Sequence, residues 1–497
     1  MVKCVSSLDL TFNQRPASQA LTRWLEEELR RAILDGRLRP GTRLPATRDF
    51  ARQYSLSRGT VVAAFEQLNA EGYLTCKVGA GTWVNARLSN QARGARKTPA
   101  AVRRLPPPMR GLTFRHPARP FRAHEPTIVE FPVDIWARVA SRRLRRVSSS
   151  LLAGGDVRGY KPLREAIASY LGAFRGVNCS SDQIVVTSGV QQGLDLLARL
   201  IVKPGAPVWI EDPGYFGAAT ALQNAGAKII PVPVDEHGLS VAKGRQLQPL
   251  ARCVYLTPAH QFPLGSTMSL ERRLAVLAWA REAGAFIIED DYDSEYRFEG
   301  LPVPALQGLD KCGSVILVGS FNKLMFPSIR LGYIVAPLAL VDPLLDLRFG
   351  TDQHASGPDQ AILTDFILEG HFSRHLRRMR DLYGARLAAL QDQSRRYLDG
   401  LLKISPVQAG LYTAGFLRNG ITSREAEAAA AARKVETMGF DRFSLKRTDI
   451  QGLVLGFAAF DEKQISLAVA ELARALEACD KKQSGLQPSN SGRIPTS

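Results

Sequence analysis

Within GSFNKLMFPSIRLGY, residues 319–333, one ammonium group, Lys323, stands among apolar neighbours, with the Ser320 hydroxyl three residues before it and the Arg330 guanidinium seven after. An amine kept out of water has a lowered pKa and attacks aldehydes, the chemistry by which pyridoxal phosphate is held as a Schiff base. A lysine taken alone is far more often one whose stem lies on apolar surface while its head reaches solvent, so its companions decide. Upstream, IIEDDYDSEYRF closes an apolar run with acids. Asp290 is the candidate to keep a pyridine nitrogen protonated, and Tyr292 to donate to the ring's phenolic oxygen. In VTSGVQQGLDLL, Ser188 and Gly189 open a helix whose N-terminus suits a phosphate, with Gly189, Val190 and Gln191 supplying backbone donors. Ser320 and Arg330 complete a phosphate cup, and Tyr215 in EDPGYFG offers a face for the ring. Singly each has a plain alternative: strand-end acids are often surface caps, and Tyr215 suits a core.

The elements that must position these groups follow from pattern. QIVVTS, PVWIED, KIIPVPV, ARCVYLTP, AFIIEDD and SVILVGS are short apolar runs separated by helical segments such as VQQGLDLLARLI and SLERRLAVLAWAREAG. Alternation of this kind predicts a mostly parallel sheet covered by helices, with ligands at the carboxyl ends of its strands. The candidate groups cluster at those ends.

Another chemistry is written in the charge. Of the net +18 over 497 residues, the first 122 residues hold 22 Lys or Arg against 8 Asp or Glu, leaving the rest close to neutral. A localised cationic surface attracts phosphate backbones and releases their counterions, although a basic linker or a solubilising face has the same composition. LTRWLEEELRRAILDG spaces Leu21, Trp24, Leu25, Leu29, Ile33 and Leu34 as an amphipathic helix stopped by Gly36. LPATRDFARQY reads as a short helix, and SRGTVVAAFEQLNAEGY as a longer one capped by Ser57, with Val61, Val62, Phe65 and Leu68 as its buried stripe. YLTCKVGAGTWV then supplies two short strands. Together they predict a winged helix-turn-helix whose Ser57, Arg58, Gly59 and Thr60 enter the major groove. Arg43 and Arg48 are placed for phosphates near the start of the preceding helix, Lys77 sits beside the hairpin turn, and Gly79, Ala80 and Gly81 let its tip approach the backbone.

LRRAILDGRLRPGTRLPATRDFARQYSLSRGTVVAAFEQLNAEGYL with the closing GAGTWV resembles the GntR-type DNA-binding domain. GVQQGLDLLARL, EDPGYFGA, TPAHQFPLGSTMSLERR, IIEDDYDSEYRFEG, the Lys323 segment and DQAILTDFILEGHFSRHLRRMRDLYGARLAAL resemble the MocR subfamily of GntR regulators, which fuse that domain to a fold-type I aminotransferase-like one. The fold class this implies is an N-terminal winged helix-turn-helix, mainly α, plus a large α/β fold-type I PLP-dependent aminotransferase-like domain. The expected layout is a tail over 1–20, the DNA-binding domain over 21–85, a basic Pro/Arg-rich linker over 86–120, the effector domain over 121–478 and a disordered tail over 479–497. By resemblance Lys323 carries the internal aldimine with pyridoxal 5'-phosphate, Asp290 and Tyr292 hold the ring nitrogen and phenolic oxygen, and Ser320 and Arg330 hold the phosphate. The resemblance also implies a homodimer, each winged helix packing across onto the partner, on a double-stranded DNA operator with two half-sites.

Departures from the family pattern concern the effector. Gln261, Phe262 and Pro263 stand where typical aminotransferases have Asn-Pro, Gly217 stands where GABA-responsive members have arginine, and Asn322, Leu324 and Phe326 replace smaller residues beside the lysine. No arginine for a substrate carboxylate is evident in GLVLGFAAF, which leaves Arg442 and Arg447 as the nearest candidates. The expected function is a PLP-dependent transcriptional regulator that senses an amino compound or vitamin B6 form at Lys323, without sustained turnover. The alternatives are an active aminotransferase with an accessory DNA-binding domain, and a DNA binder that uses the large domain only to dimerise. No apolar run approaches the roughly 20 residues of a membrane helix. The six cysteines (4, 76, 179, 253, 312, 479) follow no disulfide or metal-ligand spacing, and MVKCVSSLDLTFNQ has no secretory pattern, so a cytoplasmic location without a metal is expected.

Overall fold

The computed structural model describes residues 10–13, 15–16, 19–77, 81–86, 118–298, 300 and 303–484. It divides into two units, Met1–Thr113 and Phe114–Ser497. The linker expected over 86–120, Gly79 and Ala80 of the hairpin tip, and the last residues of the C-terminal tail lie largely or wholly outside the described residues.

In the first unit, α1 (Leu21–Leu34) buries Leu25, Leu29, Ala32 and Ile33, which share one face because they recur at helical spacing. Gly36 follows at φ +78°, a left-handed conformation in which glycine carries no Cβ penalty. After β1 (Arg43–Leu44) come α2 (Thr47–Gln53) and α3 (Arg58–Ala70), then β2 (Leu74–Lys77) and β3 (Gly81–Val84). The antiparallel sheet has the order β1-β3-β2. Phe50 of α2 meets Phe65 of α3 edge-on at 5.3 Å within a core that also holds Leu25, Leu29, Val61, Leu68 and Val84. This is the winged helix-turn-helix read from the sequence.

Four local expectations need correction. Leu34 is exposed, because the buried arc of α1 is already filled by Ile33 one position earlier. Val62 is only half-buried, and Ala64 takes the core position that the 61, 64, 65, 68 face requires. Arg43 lies on β1, where its guanidinium stacks 5.6 Å from the Trp83 ring, rather than at the start of α2. Residues 10–13 are no loose tail: Leu10 is buried with its N–H on the Tyr54 hydroxyl at 3.1 Å, and the Asn13 side chain donates to Glu28 at 3.0 Å.

The second unit is built on an eight-stranded sheet in the order β4-β11-β10-β9-β8-β5-β6-β7. Its strands are β4 (Ile184–Thr187), β5 (Pro207–Asp212), β6 (Lys228–Asp235), β7 (Gly238–Leu239), β8 (Cys253–Leu256), β9 (Phe286–Asp291), β10 (Val315–Ser320) and β11 (Gly332–Val335). β10, β9, β8, β5 and β6 run parallel, whereas β11 is antiparallel to both neighbours. All six apolar runs read as strands fall in this sheet, and the near-continuous burial of β4, β5, β8, β9 and β10 reflects cover by helices on both faces, whereas β6 is largely half-buried. A second antiparallel sheet, β12 (Leu402–Ile404), β13 (Tyr412–Leu417), β15 (Gly452–Gly456) and β14 (Met438–Gly439) in that order, follows the long helix His371–Tyr397. The closing helix Glu462–Ser484 runs past residue 478, where a tail was expected, because Ile465, Val469, Leu472 and Leu476 keep one buried face.

Candidate functional site

At the start of α3 in the first unit, the Ser57 hydroxyl accepts the Thr60 N–H at 3.0 Å, which fixes the first turn of that helix. Ser57, Arg58 and Gly59 are exposed and Thr60 half-buried, while Arg48 on α2 and Lys77 at the end of β2 are exposed as well. Arg43 packs against the hairpin: a Cβ added at Gly81, whose φ is +127°, would lie 3.0 Å from its Nε. The closeness of the wing backbone to this guanidinium is the reason for a glycine at that position.

In the second unit, sheet register gathers the remaining candidates. Ser320 pairs with Gly332, and Gly332 with Thr187, so the ends of β10 and β4 lie on either side of β11. Gly189, at φ +106°, caps the helix Val190–Ile201, and a Cβ there would lie 3.6 Å from the Arg330 guanidinium and 3.5 Å from Asn322 Nδ2. Arg330 is exposed and itself left-handed at φ +49°. The turn after β10 thus brings a cation, the buried Ser320 hydroxyl and the N–H groups of Gly189, Val190 and Gln191 to one spot, a cradle for a phosphate. The Ser188 N–H is taken by Gln192 Oε1 at 2.7 Å, whereas Ser320 Oγ accepts the Asn322 N–H at 3.1 Å and keeps its own hydrogen to donate.

Lys323 follows β10, half-buried, and its Nζ donates to the His124 carbonyl at 2.6 Å. Burial lowers its pKa to about 8, against the opposing pull of Asp293, Glu125 and Asp290. Asp290, buried at the end of β9, accepts the Tyr255 hydroxyl on Oδ2 at 2.7 Å, and its Oδ1 is buried without a hydrogen-bond partner. Burial raises this carboxyl to about 7; the Tyr255 hydrogen bond opposes the shift, and Asp291 and Asp293 add to it. A buried acceptor without a donor is costly, and an aromatic N–H is the group that would satisfy it. Tyr292 donates to the His260 carbonyl at 2.7 Å and meets the Tyr412 hydroxyl at 2.8 Å. Tyr215 lies edge-on to Phe262 at 6.1 Å, its hydroxyl on Gln191 Oε1 at 3.2 Å and its pKa pushed up to about 12 chiefly by burial. The residues present therefore fit pyridoxal phosphate: an amine for the aldehyde, an unpartnered carboxylate oxygen for the ring nitrogen, and a cradle for the phosphate.

Several residues of this site escaped the sequence reading. Tyr255, which orients Asp290, sits mid-strand in CVYL and reads as core. His260 bonds Asp293 at 3.0 Å and stacks on Tyr412 at 4.7 Å. His124, at φ +65°, packs against Phe262 at 4.6 Å and Tyr412 at 5.0 Å. Tyr255 occupies an apolar run and His124 an irregular stretch, so no period marks them, while His260 falls within TPAHQFPLGSTMSLERR without its own part being evident. The two arginines considered for an effector carboxylate are engaged elsewhere: Arg442 with Glu427 at 2.8 Å, and Arg447 with Asp449 at 3.0 Å and the Val234 carbonyl at 2.6 Å. A Cβ at Gly217 would lie 2.4 Å from the Tyr215 ring, so a larger residue there requires Tyr215 to move.

Residues 21–84 match the family of bacterial regulatory proteins named gntR, and residues 130–438 match aminotransferases of class I and II. The chain is thus of the class that joins a DNA-binding winged helix to an aminotransferase-like domain. It is 39% identical over 476 residues to the probable rhizopine catabolism regulatory protein MocR of Rhizobium meliloti, covering 94% of this chain and 96% of that one. It is 31% identical to the pyridoxine biosynthesis transcriptional regulator PdxR of Corynebacterium glutamicum, covering 95% and 99%. Among solved structures it is similar to kynurenine aminotransferase of Pyrococcus horikoshii, with a TM-score of 0.68 at 27% identity over 72% of this chain and 90% of that chain. The chain belongs to the MocR subfamily of GntR transcriptional regulators. Membership implies DNA binding through the first unit and pyridoxal phosphate use by the second. Among the described residues, no helix is long and apolar enough to cross a membrane.

Proposed function

We propose that this protein is a cytoplasmic, dimeric transcriptional regulator that binds pyridoxal 5'-phosphate at Lys323 and answers to a small amino compound or a vitamin B6 form. The observation that carries the reading is a half-buried Lys323 amine of lowered pKa in the same site as a buried Asp290 oxygen that has no hydrogen-bond partner. Bound pyridoxal phosphate supplies an aldehyde and an electron-withdrawing ring. Lys323 would supply the nucleophile, Asp290 Oδ1 would accept the ring N–H, the Tyr292 hydroxyl would turn from the His260 carbonyl to donate to the phenolic oxygen, and Ser320, Arg330 and the Gly189–Gln191 N–H groups would hold the phosphate. Tyr215 limits the ring's tilt, while Arg58 with Ser57 and Thr60 reads the operator and Arg43, Arg48 and Lys77 bind its phosphates. A small amine would have the same chemistry toward that aldehyde as Lys323, and a response would reach DNA to the extent that the filled and exchanged states of the protein differ in affinity for it.

Borohydride reduction of the cofactor-loaded protein followed by peptide mapping tests the first half, with a pyridoxyl group expected on Lys323 and nowhere else. A mobility shift with candidate amines tests the second. A second reading, an active aminotransferase with an accessory DNA-binding unit, is favoured by the survival of every group named above. Sustained keto-acid production from an amine and an α-keto acid would support it; a single exchange without turnover supports the regulator.

A further inference from the structure

The turn Phe121–Glu125 stands at the chain's entry into the second unit, and its two halves are held in different ways. The first half is anchored to the frame. The Phe121 carbonyl accepts the Gly456 N–H at 2.9 Å, the Pro120 carbonyl accepts the Glu436 N–H at 2.9 Å, and the buried Arg122 guanidinium pairs with Glu436 at 2.8 Å. A Cβ at Gly456 would lie 2.0 Å from the Arg122 carbonyl, so the end of β15 is shaped to seat this backbone. The tip is held differently. His124 is left-handed at φ +65°, its carbonyl is gripped by Lys323 Nζ at 2.6 Å, and its ring rests on Phe262 and Tyr412 inside the site.

We propose that the His124 carbonyl is the resting holder of the Lys323 amine, and that covalent capture of that nitrogen frees the tip of the turn. This rests on the reading of Lys323 as the attachment point. When the neutral amine condenses with an aldehyde, a C=N bond replaces the C=O bond and the carbonyl oxygen leaves as water with both amine hydrogens. A nitrogen that offered three hydrogens as an ammonium then offers one at most, fixed in the plane of the double bond. His124, a non-glycine residue in a left-handed conformation, loses the bond that holds it there. Arg122 keeps its partners Glu436 at 2.8 Å and Glu125 at 3.1 Å, so both flanks of the tip stay tied while His124 moves, making His124 a positioning residue whose state reports whether the site is filled.

Hydrogen–deuterium exchange on the full-length protein held in excess pyridoxal phosphate tests this, and a separate sample reduced with borohydride and mapped verifies the attachment to Lys323. Loading is expected to raise exchange of the Ala123, His124 and Glu125 amides about tenfold or more, and Lys323→Met without cofactor to do the same, while the Thr127 N–H stays on the Tyr383 hydroxyl. Pyridoxal phosphate added to Lys323→Met is expected to change nothing further. The Glu436 and Gly456 amides should stay protected in every arm, which also verifies that the variant is folded. Unchanged exchange of the Ala123, His124 and Glu125 amides in Lys323→Met, or a tip as protected in the loaded, unreduced protein as in the cofactor-free one, overturns the proposal. If no pyridoxyl group forms on Lys323, the cofactor reading fails separately, and the Lys323→Met arm alone still decides whether the amine holds the tip.

Discussion

Lys323 and Asp290 share one physical device, removal from water, with opposite effects on their protons. Burial lowers the amine to about 8 and raises the carboxyl to about 7, so each is poised near neutral pH rather than fixed in its usual charge state. The neutral amine is the reactive form, and it is the form present above the lowered value. Modification of Lys323 by pyridoxal phosphate is therefore expected to rise about tenfold per pH unit below 8 and to level off above it, whereas an exposed lysine keeps rising to about 10.4. Stopped-flow absorbance across that range checks it. On the proposed function, Asp290→Asn replaces a charged acceptor by a neutral one. A charge-assisted hydrogen bond contributes about 1.5–3 kcal/mol, so retention of the cofactor should weaken about 10- to 100-fold, as read by absorbance titration. The lysine and the acid were legible because each ends an apolar run. His124, His260 and Tyr255 were not, since their part in the site depends on contacts between segments far apart in the chain.

At the scale of elements, α3 and the β10–β11 turn do comparable work: each ends a rigid segment in a short run of polar groups. Ser57 fixes the start of α3 through the Thr60 N–H, and Arg58 projects from that start into solvent. Ser57→Ala should destabilise the first unit by about 1 kcal/mol, measured as a lower midpoint in its calorimetric transition. Arg58→Ala should leave that midpoint alone and weaken operator binding by about 1–3 kcal/mol, with the visible absorbance of the second unit unchanged. If both signals changed together, the separation of reading head and sensor would be wrong. The recognition helix was readable from Ser57 onward because a cap residue, a helical period and a glycine stop agree. The wing strand β1 was not, because two residues carry no period, and Arg43 was consequently read as part of the approach to α2.

For the molecule as a whole, the division into two units, each with its own core, predicts that a ligand of one leaves the other's stability untouched. Pyridoxal phosphate at about 100 times its Kd should stabilise the second unit by about 2.7 kcal/mol, seen in calorimetry as an upward shift of one transition with the winged-helix transition unmoved. A shift of both would indicate that the units unfold together. The basic excess of the first 122 residues was a whole-chain signal visible without any structure, and it pointed to the nucleic-acid partner that family membership implies.

The sequence by itself determined the order of elements, the run of parallel strands and the amine that the site turns on, because period, caps and burial of apolar runs act over a few residues. Tertiary structure alone decided what meets that amine. The antiparallel insertion of β11 between β4 and β10 carries Gly189 to Arg330, and the return of residues 121–125 beside β15 sets the His124 carbonyl against Lys323. Those contacts join positions far apart along the chain, and their energies depend on burial and distance, which exist only once the chain has closed on itself.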